Sequence, residues 1–308
     1  MTTPAATFTT VRDLVRYAVT RFTGANLSFG HGNANAYDEA AYLVLHTLSL
    51  PLDTLEPFFD ARLLPEEIGN VLGIIAKRAD ERIPAAYLTN EAWLGEYRFY
   101  VDERVIVPRS FIHELIPEHF APWVKDPDAV EEVLELCTGS GCLAIMLADA
   151  FPNAHVDAVD ISGDALDVAE QNIVDYGLQN QIALVESDLY TQLLPKKYDL
   201  IVTNPPYVNA ESMASLPDEY LKEPQNALAG GADGMDLVRK IVAQATHWLK
   251  PDGVLVVEIG NEYEHAMAAF QHLEPTWLST SGGDDRVFLL TAQQLQNNKG
   301  RSDDKFGA

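Results

Sequence analysis

The sequence predicts a doubly wound, mostly parallel α/β sheet that follows a small helical domain. Strand-like and helix-like segments alternate from Glu131 onward, an order typical of parallel sheets. The most apolar of these strands, Leu200–Val202, runs directly into Asn204-Pro-Pro-Tyr207. Its β-branched residues predict burial on both faces, and the two prolines end it because neither can donate a ladder hydrogen bond. Asn204 is therefore expected at the carboxyl end of a central strand, where open α/β sheets bind ligands.

Residues 1–90 are predicted to form the helical domain. Gly30–Asn33 separates the first helix from the second, and Pro65 opens a third with proline in its first turn. His31 is interpreted as structural or solvent-exposed, because no neighbour in sequence supplies a partner. The helical spacing rests on apolar residues at Val11, Leu14, Val15, Ala18, Val19 and Phe22, and again from Ala40 to Leu48.

The segment at residues 91–109 is predicted to be a hairpin linker. Between Trp93 and Val107 the apolar period changes from helical to alternating, with Asp102–Arg104 between the two arms. A second, larger domain would then occupy residues 110–292, and the polar residues 293–308 predict a disordered tail.

Within the second domain the predicted elements follow one another in a regular order. Ser162 can cap a helix, and Gly177 can end it. The final strand is expected to pair at the sheet edge. The segments are strand Glu131–Cys137, glycine turn Thr138–Gly141, a helix through Leu147, strand Val156–Asp160, helix Asp164–Tyr176, strand Ile182–Glu186, helix Met235–Leu249, strand Val254–Ile259 and strand Arg286–Leu290.

The glycine turn and the acid after it indicate a nucleotide-like cofactor. Asp160 ends the next strand about twenty residues downstream, where such folds bind a ribose diol. The turn itself fits either a dinucleotide or S-adenosylmethionine, since Gly139-Ser-Gly141-Cys-Leu-Ala144 matches the dinucleotide pattern. Glu135 favours S-adenosylmethionine, because a carboxylate there could meet an ammonium group but would repel a pyrophosphate.

The turn at Asn204–Tyr207 has the groups needed to hold a planar amide. The side-chain carbonyl of Asn204 can accept one amide N–H, and the backbone carbonyl of Pro205 can accept the other. Tyr207, following Pro206, offers a flat face to a flat group. The alternative is a turn that only ends the strand, because Asn-Pro is common in turns.

The charge balance argues against a nucleic-acid substrate. There are 46 acidic residues against 21 Lys and Arg, a formal charge of −25, and the sequence has no long basic run. Cys137 and Cys142 suggest neither a disulfide framework nor a zinc site. No metal is expected. With no secretory signal and no membrane-spanning stretch, the protein is expected to be cytoplasmic.

These motifs together resemble one family. Glu135–Gly141, Asp160, Asp188 and Asn204–Tyr207, in that order, are similar to the S-adenosylmethionine-dependent protein-glutamine methyltransferases of the HemK type. The resemblance covers nearly the whole chain. It extends to the linker at Ile83–Leu88 and Val107–Arg109, and to Glu258–Gly260.

Two branches of that family differ after the Pro-Arg of the linker. The release-factor branch usually continues with Pro-Glu-Thr-Glu, whereas this chain reads Ser110–Leu115. That segment resembles the branch that modifies ribosomal protein L-three, as do Gly30–Gly32, Glu81–Asn90 and Leu216–Pro224.

The resemblance implies a seven-stranded Rossmann-like sheet and N5 methylation of a glutamine amide on basic ribosomal protein L-three, with residues 1–90 recognising the substrate. Catalysis is assigned to Asn204, Pro205, Pro206 and Tyr207. S-adenosylmethionine would be bound by Glu135, Thr138, Gly139, Gly141, Asp160, Asp188 and Asn204. The alternatives are glutamine methylation of release factors, adenine methylation of nucleic acid, and a non-catalytic assembly factor that binds ribosomal protein.

Overall fold

The structure, a computed structural model, describes residues 8–303 and divides them into two units. The helical unit contains residues 8–92, Val101–Glu103 and Pro217–Glu223. The sheet unit contains Trp93–Tyr100, Arg104–Leu216 and residues 224–303. The predicted linker at 91–109 is thus divided between the units, and the helical unit gains a segment from far along the chain.

Local capping explains where the first helices of the helical unit begin. The Thr10 hydroxyl accepts the Asp13 N–H while the Asp13 carboxylate accepts the Thr10 N–H, a reciprocal cap on α1. Asn35 caps α2 by accepting from the N–H groups of Tyr37 and Asp38. The three predicted helices are confirmed, and a short fourth helix is added. The four are α1 Val11–Gly24, α2 Ala36–Thr47, α3 Pro65–Asp80 and α4 Ala85–Thr89.

A buried arginine joins the segment Pro217–Glu223 to the helices of this unit. Arg78 in α3 is 1% exposed, and it donates to Glu39 at 2.6 Å and to Glu219 at 3.1 Å. Arg82 and the Ser28 N–H also donate to Glu219, each at 3.2 Å. Burial raises the pKa of Glu39, whereas hydrogen bonds outweigh burial at Glu219 and lower its pKa. The guanidinium of Arg78 therefore compensates the charge of both Glu39 and Glu219.

His31 lies against the same segment. The imidazole is buried, its ring centre is 4.4 Å from that of Tyr220, and Nε2 is 3.5 Å from a carboxylate oxygen of Glu223. His31 is therefore a buried residue, which agrees with the structural interpretation and excludes the solvent-exposed one. Its partners come from a segment too distant in sequence for local reasoning to find.

The predicted hairpin exists but its turn lies elsewhere. Strands β1 Ala92–Leu94 and β2 Tyr97–Phe99 pair around Gly95, whose φ of +60° suits a tight turn. Asp102–Arg104 is not that turn, and Val105–Val107 forms no strand. Val105 and Val107 are nevertheless buried, so their alternation reflects packing of an extended segment.

A seven-stranded sheet is the centre of the sheet unit and confirms the predicted fold class. The order is β5-β4-β3-β6-β7-β9-β8, with β3 to β7 parallel and β9 antiparallel to both its neighbours. The strands are β3 Glu132–Leu136, β4 His155–Asp160, β5 Ile182–Glu186, β6 Tyr198–Thr203, β7 Leu249–Glu258, β8 Thr276–Thr280 and β9 Gly283–Thr291.

Two sequence expectations about the end of the chain are wrong. Strand β9 is not at the sheet edge, because β8, which the sequence analysis does not predict, pairs outside it. The tail is helical from Ala292 to Asp303, where disorder was expected from residue 293, because Ala292 and Leu295 are buried in the core. Residues 304–308, the rest of that predicted tail, lie outside the described residues.

The helices of the sheet unit connect these strands. Helix α6 begins where the Ser162 hydroxyl accepts the Ala165 N–H at 3.2 Å, and Gly177 follows its end with φ of +70°. Both predicted helix signals are thus confirmed. The helices are α5 Cys142–Ala150, α6 Gly163–Asp175, α7 Ala210–Met213, α8 Asp236–Trp248, α9 Tyr263–Phe270 and α10 Ala292–Asp303.

Candidate active site

A cavity of about 290 Å³ lies in the sheet unit at the carboxyl ends of β3 to β6. Parallel strands bring the residues that follow them to one edge of the sheet, as the sequence predicts. Of the predicted site residues, five line this cavity: Gly139, Asp160, Asp188, Asn204 and Pro206. Glu135, Thr138, Gly141, Pro205 and Tyr207 are not among its lining residues.

Asp160 fixes the glycine turn against the end of β4. One carboxylate oxygen accepts the Gly139 N–H at 2.9 Å, and the other accepts the Ser162 N–H at 3.0 Å. Burial raises the pKa of Asp160, although these backbone hydrogen bonds oppose that effect. The carboxyl group therefore has a fixed orientation at the cavity wall and still has lone pairs for a ligand's hydroxyl groups.

Gly141 serves packing and not the cavity. Its φ is +78°, and a Cβ at this position would lie 3.1 Å from the Cβ of Ala169 in α6. Gly139, by contrast, has φ of +55°, no heavy atom near its hypothetical Cβ, and a place on the cavity wall. The first glycine faces the ligand site, while the second allows two helices to approach closely.

Glu135 does not reach the cavity. The side chain is 1% exposed, and the Thr138 hydroxyl donates to its carboxylate. Burial raises the pKa of Glu135 to about 8. The expected contact between this carboxylate and a cofactor ammonium is therefore not supported. The sequence places Glu135 near the strand end, but it does not show which side of the sheet the residue faces.

Raising the pH should lower the stability of the fold through Glu135. Between its ordinary pKa of 4.5 and about 8, the unfolded chain has lost a proton that the folded chain keeps, so unfolding becomes easier as pH rises. Glu135→Gln cannot titrate and should show a weaker loss of stability. Urea unfolding of both proteins at the two ends of this range is the measurement. An equal pH dependence in both would contradict the assignment.

The turn at Asn204–Tyr207 is oriented by a backbone carbonyl. Asn204 Nδ2 donates to the Arg109 carbonyl at 3.5 Å, which directs the amide nitrogen away and leaves Oδ1 as an acceptor. Asn204 and Pro206 both line the cavity. Arg109 thus contributes its backbone here, while its guanidinium donates to the Val107 carbonyl at 3.2 Å.

Tyr207 is held by a buried acid. Its hydroxyl donates to Glu258 Oε1 at 3.2 Å, while Glu258 Oε2 accepts from the Ser110 hydroxyl at 2.6 Å and the Phe111 N–H at 2.9 Å. Burial raises the pKa of Glu258 to about 7. The expected flat face of Tyr207 is not part of the cavity wall, so this turn uses tyrosine as a fixed support.

Several residues that line the cavity are not among the site residues predicted from the sequence. Ile161, 63% exposed, follows Asp160 directly and could have been found from its position after the strand. Leu189 likewise follows Asp188. Seven more come from segments that return to the sheet edge after long connections: Arg104, Val105, Ile106, Pro224, Asn226, Ala227 and Leu237.

Residues 8–303 show no obvious site for a metal ion. Within that range, no group of three or more His, Cys, Asp or Glu side chains could hold one. Cys137 and Cys142 are free thiols, and burial raises the pKa of both, that of Cys142 to about 12. In the same part of the chain, no helix has the length and apolar character to cross a membrane.

Comparison with known proteins identifies relatives of this chain. A family model described as "Methyltransferase small domain" matches residues 120–233. The ribosomal protein uL3 glutamine methyltransferase of Burkholderia pseudomallei (strain K96243) is 63% identical, over 96% of this chain and 98% of that protein. The protein of the same name from Neisseria gonorrhoeae (strain ATCC 700825 / FA 1090) is 57% identical, over 94% and 97%.

One solved structure, a ribosomal protein L11 methylase from Lactobacillus delbrueckii subsp. bulgaricus, is 22% identical over 58% of this chain and 75% of that chain, with a TM-score of 0.40. The two uL3 glutamine methyltransferases match 94–96% of this chain at much higher identity, and their names agree with the branch indicated by Ser110–Leu115. The chain belongs to the family of ribosomal protein uL3 glutamine methyltransferases.

Proposed function

We propose that this chain transfers a methyl group from S-adenosylmethionine to the side-chain amide nitrogen, N5, of a glutamine in ribosomal protein uL3. The observation that carries the proposal is the orientation of Asn204. Its amide nitrogen faces the Arg109 carbonyl, so its oxygen is the group available at the cavity. A primary amide has two N–H groups and therefore suits a site that offers acceptors.

The residues on the cavity wall fit the cofactor. Asp160 presents an oriented carboxyl group for ribose hydroxyls, and Asp188 follows the neighbouring strand, where it can accept from an adenine amine. Ile161 and Leu189 add apolar surface for a base. Gly139 leaves open space where a side chain would otherwise stand. When bound, S-adenosylmethionine supplies an activated methyl group.

The chain's own contribution is positioning. An amide nitrogen is a poor nucleophile, because its lone pair is delocalised into the carbonyl. Asn204 Oδ1 and the Pro205 carbonyl would accept the two amide hydrogens and direct the nitrogen toward the methyl group. As positive charge develops on nitrogen, both acceptors would bind its hydrogens more strongly, which favours the transition state over the ground state. The methylated nitrogen then loses a proton readily, so no dedicated general base is required.

The names of the relatives and the charge of this chain support uL3 as the substrate over the alternatives. Relatives of 57–63% identity are named for uL3 and not for release factors. The formal charge of −25 disfavours nucleic acid and favours a basic protein. We propose further that residues 1–90 recognise the substrate and that the protein works in the cytoplasm, where ribosomal proteins are made.

Methyl transfer from labelled S-adenosylmethionine to separate acceptors tests this function. Purified uL3, a release factor, ribosomal RNA and DNA would each be incubated with the protein. We expect label in uL3 alone, and peptide mass spectrometry should place one methyl group on one glutamine. Label in RNA, in DNA or only in the release factor would refute the proposed substrate, and no transfer to any acceptor would favour a binding role.

Asp160→Ala should weaken binding of S-adenosylmethionine by about ten- to a hundredfold. Removing a charged acceptor costs about 1.5–3 kcal/mol, and each tenfold in affinity corresponds to about 1.4 kcal/mol. The change also leaves the N–H groups of Gly139 and Ser162 without their acceptor. Calorimetric titration with the cofactor measures the effect. Asp157→Asn, three residues earlier in β4, is the control, and equal affinities for the wild type and both variants would place the ribose elsewhere.

A further inference from the structure

Glu258 connects two segments that meet at the turn at Asn204–Tyr207. It is the last residue of β7 and is 1% exposed. Its carboxylate accepts from Ser110 and Phe111 through one oxygen and from Tyr207 through the other. An ionised carboxylate only accepts hydrogen bonds, which suits a place where three donors converge. Glu258 itself does not line the cavity.

The segment held by Glu258 also orients Asn204. Ser110 follows Arg109, whose carbonyl accepts from Asn204 Nδ2 at 3.5 Å. The Ser110 hydroxyl in turn accepts the Ile112 N–H at 3.2 Å, so this hydroxyl has its proton directed toward Glu258. One carboxylate therefore fixes both ends of the turn: Tyr207 directly, and Asn204 through the backbone beside Ser110.

Three glycines lie so close to Tyr207 that they leave room for only one position of this residue. A Cβ at Gly260 would lie 2.4 Å from the tyrosine ring, one at Gly234 would lie 2.2 Å from the Tyr207 carbonyl oxygen, and one at Gly230 would lie 2.6 Å from its Cα. Gly234 and Gly260 also have φ of +77° and +51°. The ring and its backbone are thus enclosed closely, and the hydroxyl has a fixed place beside Glu258.

We propose that Glu258 is a positioning residue for methyl transfer, which holds Tyr207 and the Ser110 segment so that Asn204 presents its oxygen to the acceptor amide. The inference rests on the proposed function. Because the reaction depends on alignment, a shift of about 1 Å at the turn can cost roughly a hundredfold in rate. Because Glu258 does not line the cavity, its loss should affect turnover more than binding.

Glu258→Gln is the first test, because it keeps the shape while replacing one acceptor oxygen by a donor. We expect kcat for uL3 methylation to fall by about ten- to a hundredfold. The KM for uL3 and the Kd for S-adenosylmethionine should stay within about threefold of the wild type. A loss that appears mainly in KM, or no loss, would overturn the proposal.

A double-mutant cycle with Tyr207→Phe tests whether Glu258 acts through the tyrosine. Residues in one hydrogen-bond network have effects that do not add. We expect Glu258→Gln to reduce kcat far less in the Tyr207→Phe protein than in the wild type. Fully additive losses would refute the link. If Glu258→Gln does not fold, Ser110→Ala and Tyr207→Phe each remove one donor, and unchanged kcat in both would refute it equally.

A matched control exists in the same sheet. Asp157 in β4 is 8% exposed and accepts from the Tyr198 hydroxyl at 2.7 Å, so it is another buried acid paired with a tyrosine. Tyr198 begins β6, whereas Asn204 follows its end. Asp157→Asn should lower stability but change kcat less than about twofold. A wild-type protein that does not methylate uL3 refutes the proposed function instead, so the two failures are distinguishable.

Discussion

Asn204→Ala should abolish methyl transfer and leave cofactor binding nearly intact, because its proposed contact is with the acceptor amide and not with the adenosyl group. We expect kcat to fall at least about a thousandfold, because alignment contributes roughly 7–11 kcal/mol to such reactions and each tenfold corresponds to about 1.4 kcal/mol. The variant loses the proposed acceptor at the cavity and the contact with the Arg109 carbonyl. Single-turnover kinetics with labelled cofactor measures the rate, and calorimetry should give a Kd within about threefold of the wild type.

Two further variants test whether the loss of methyl transfer is specific to the Asn204 side chain. Asn204→Asp keeps an acceptor but loses the N–H that reaches Arg109, so it should also fail. Asn209→Ala removes an equivalent side chain five residues later, one that caps α7 and donates to Glu262 at 2.8 Å. It should cost stability and leave most of the turnover. Near-normal turnover of Asn204→Ala would remove the proposed role.

Arg78→Met should destabilise the helical unit strongly. The variant leaves the buried Glu39 without its cation and Glu219 with only the partly exposed Arg82, and breaking a buried ion pair in this way typically costs about 3–5 kcal/mol. Hydrogen exchange of the amides in α2 and α3 measures this unit separately from the sheet, which matters because a protein of two units need not unfold in one step.

Arg82→Met is the matched control for that experiment. Arg82 shares the partner Glu219 and also donates to the Ala25 carbonyl, but its side chain is 26% exposed. Water can replace part of what is lost, so the expected destabilisation is smaller, about 1 kcal/mol or less. Equal losses in the two variants would mean that burial of Arg78 does not decide its contribution.

The parts of the fold that depend on a local pattern of residues can be predicted from the sequence. The run Leu200–Val202 before two prolines identifies the central strand, and the glycine turn followed by Asp160 identifies the nucleotide-binding half. Strand β8 is not found, because Thr276–Thr280 is short and polar at its ends, and only pairing with β9 makes it a strand. The turn at Gly95 is not predicted, because apolar and polar residues alternate both before and after it.

A site residue can be predicted from the sequence only where its position along the chain also determines which way its side chain points. Asp160 ends a strand, Asp188 and Asn204 follow strands, and all three reach the edge of the sheet. Glu135 has the same apparent position, but it faces the interior, which only the packed sheet decides. The bonds from Glu258 to Ser110 and Tyr207 join three distant segments, and no spacing in the sequence encodes them.

The segment Pro217–Glu223 has a consequence for synthesis on the ribosome. The helices of the N-terminal unit leave the ribosome first, yet the bond from Arg78 to Glu219 spans 141 residues. At about 5–20 residues per second, that second partner is made roughly 7–28 s later. For that interval Arg78 has Glu39 and the Ser28 carbonyl as partners but not Glu219, and the unit can complete its interior only after most of the sheet that follows has been translated.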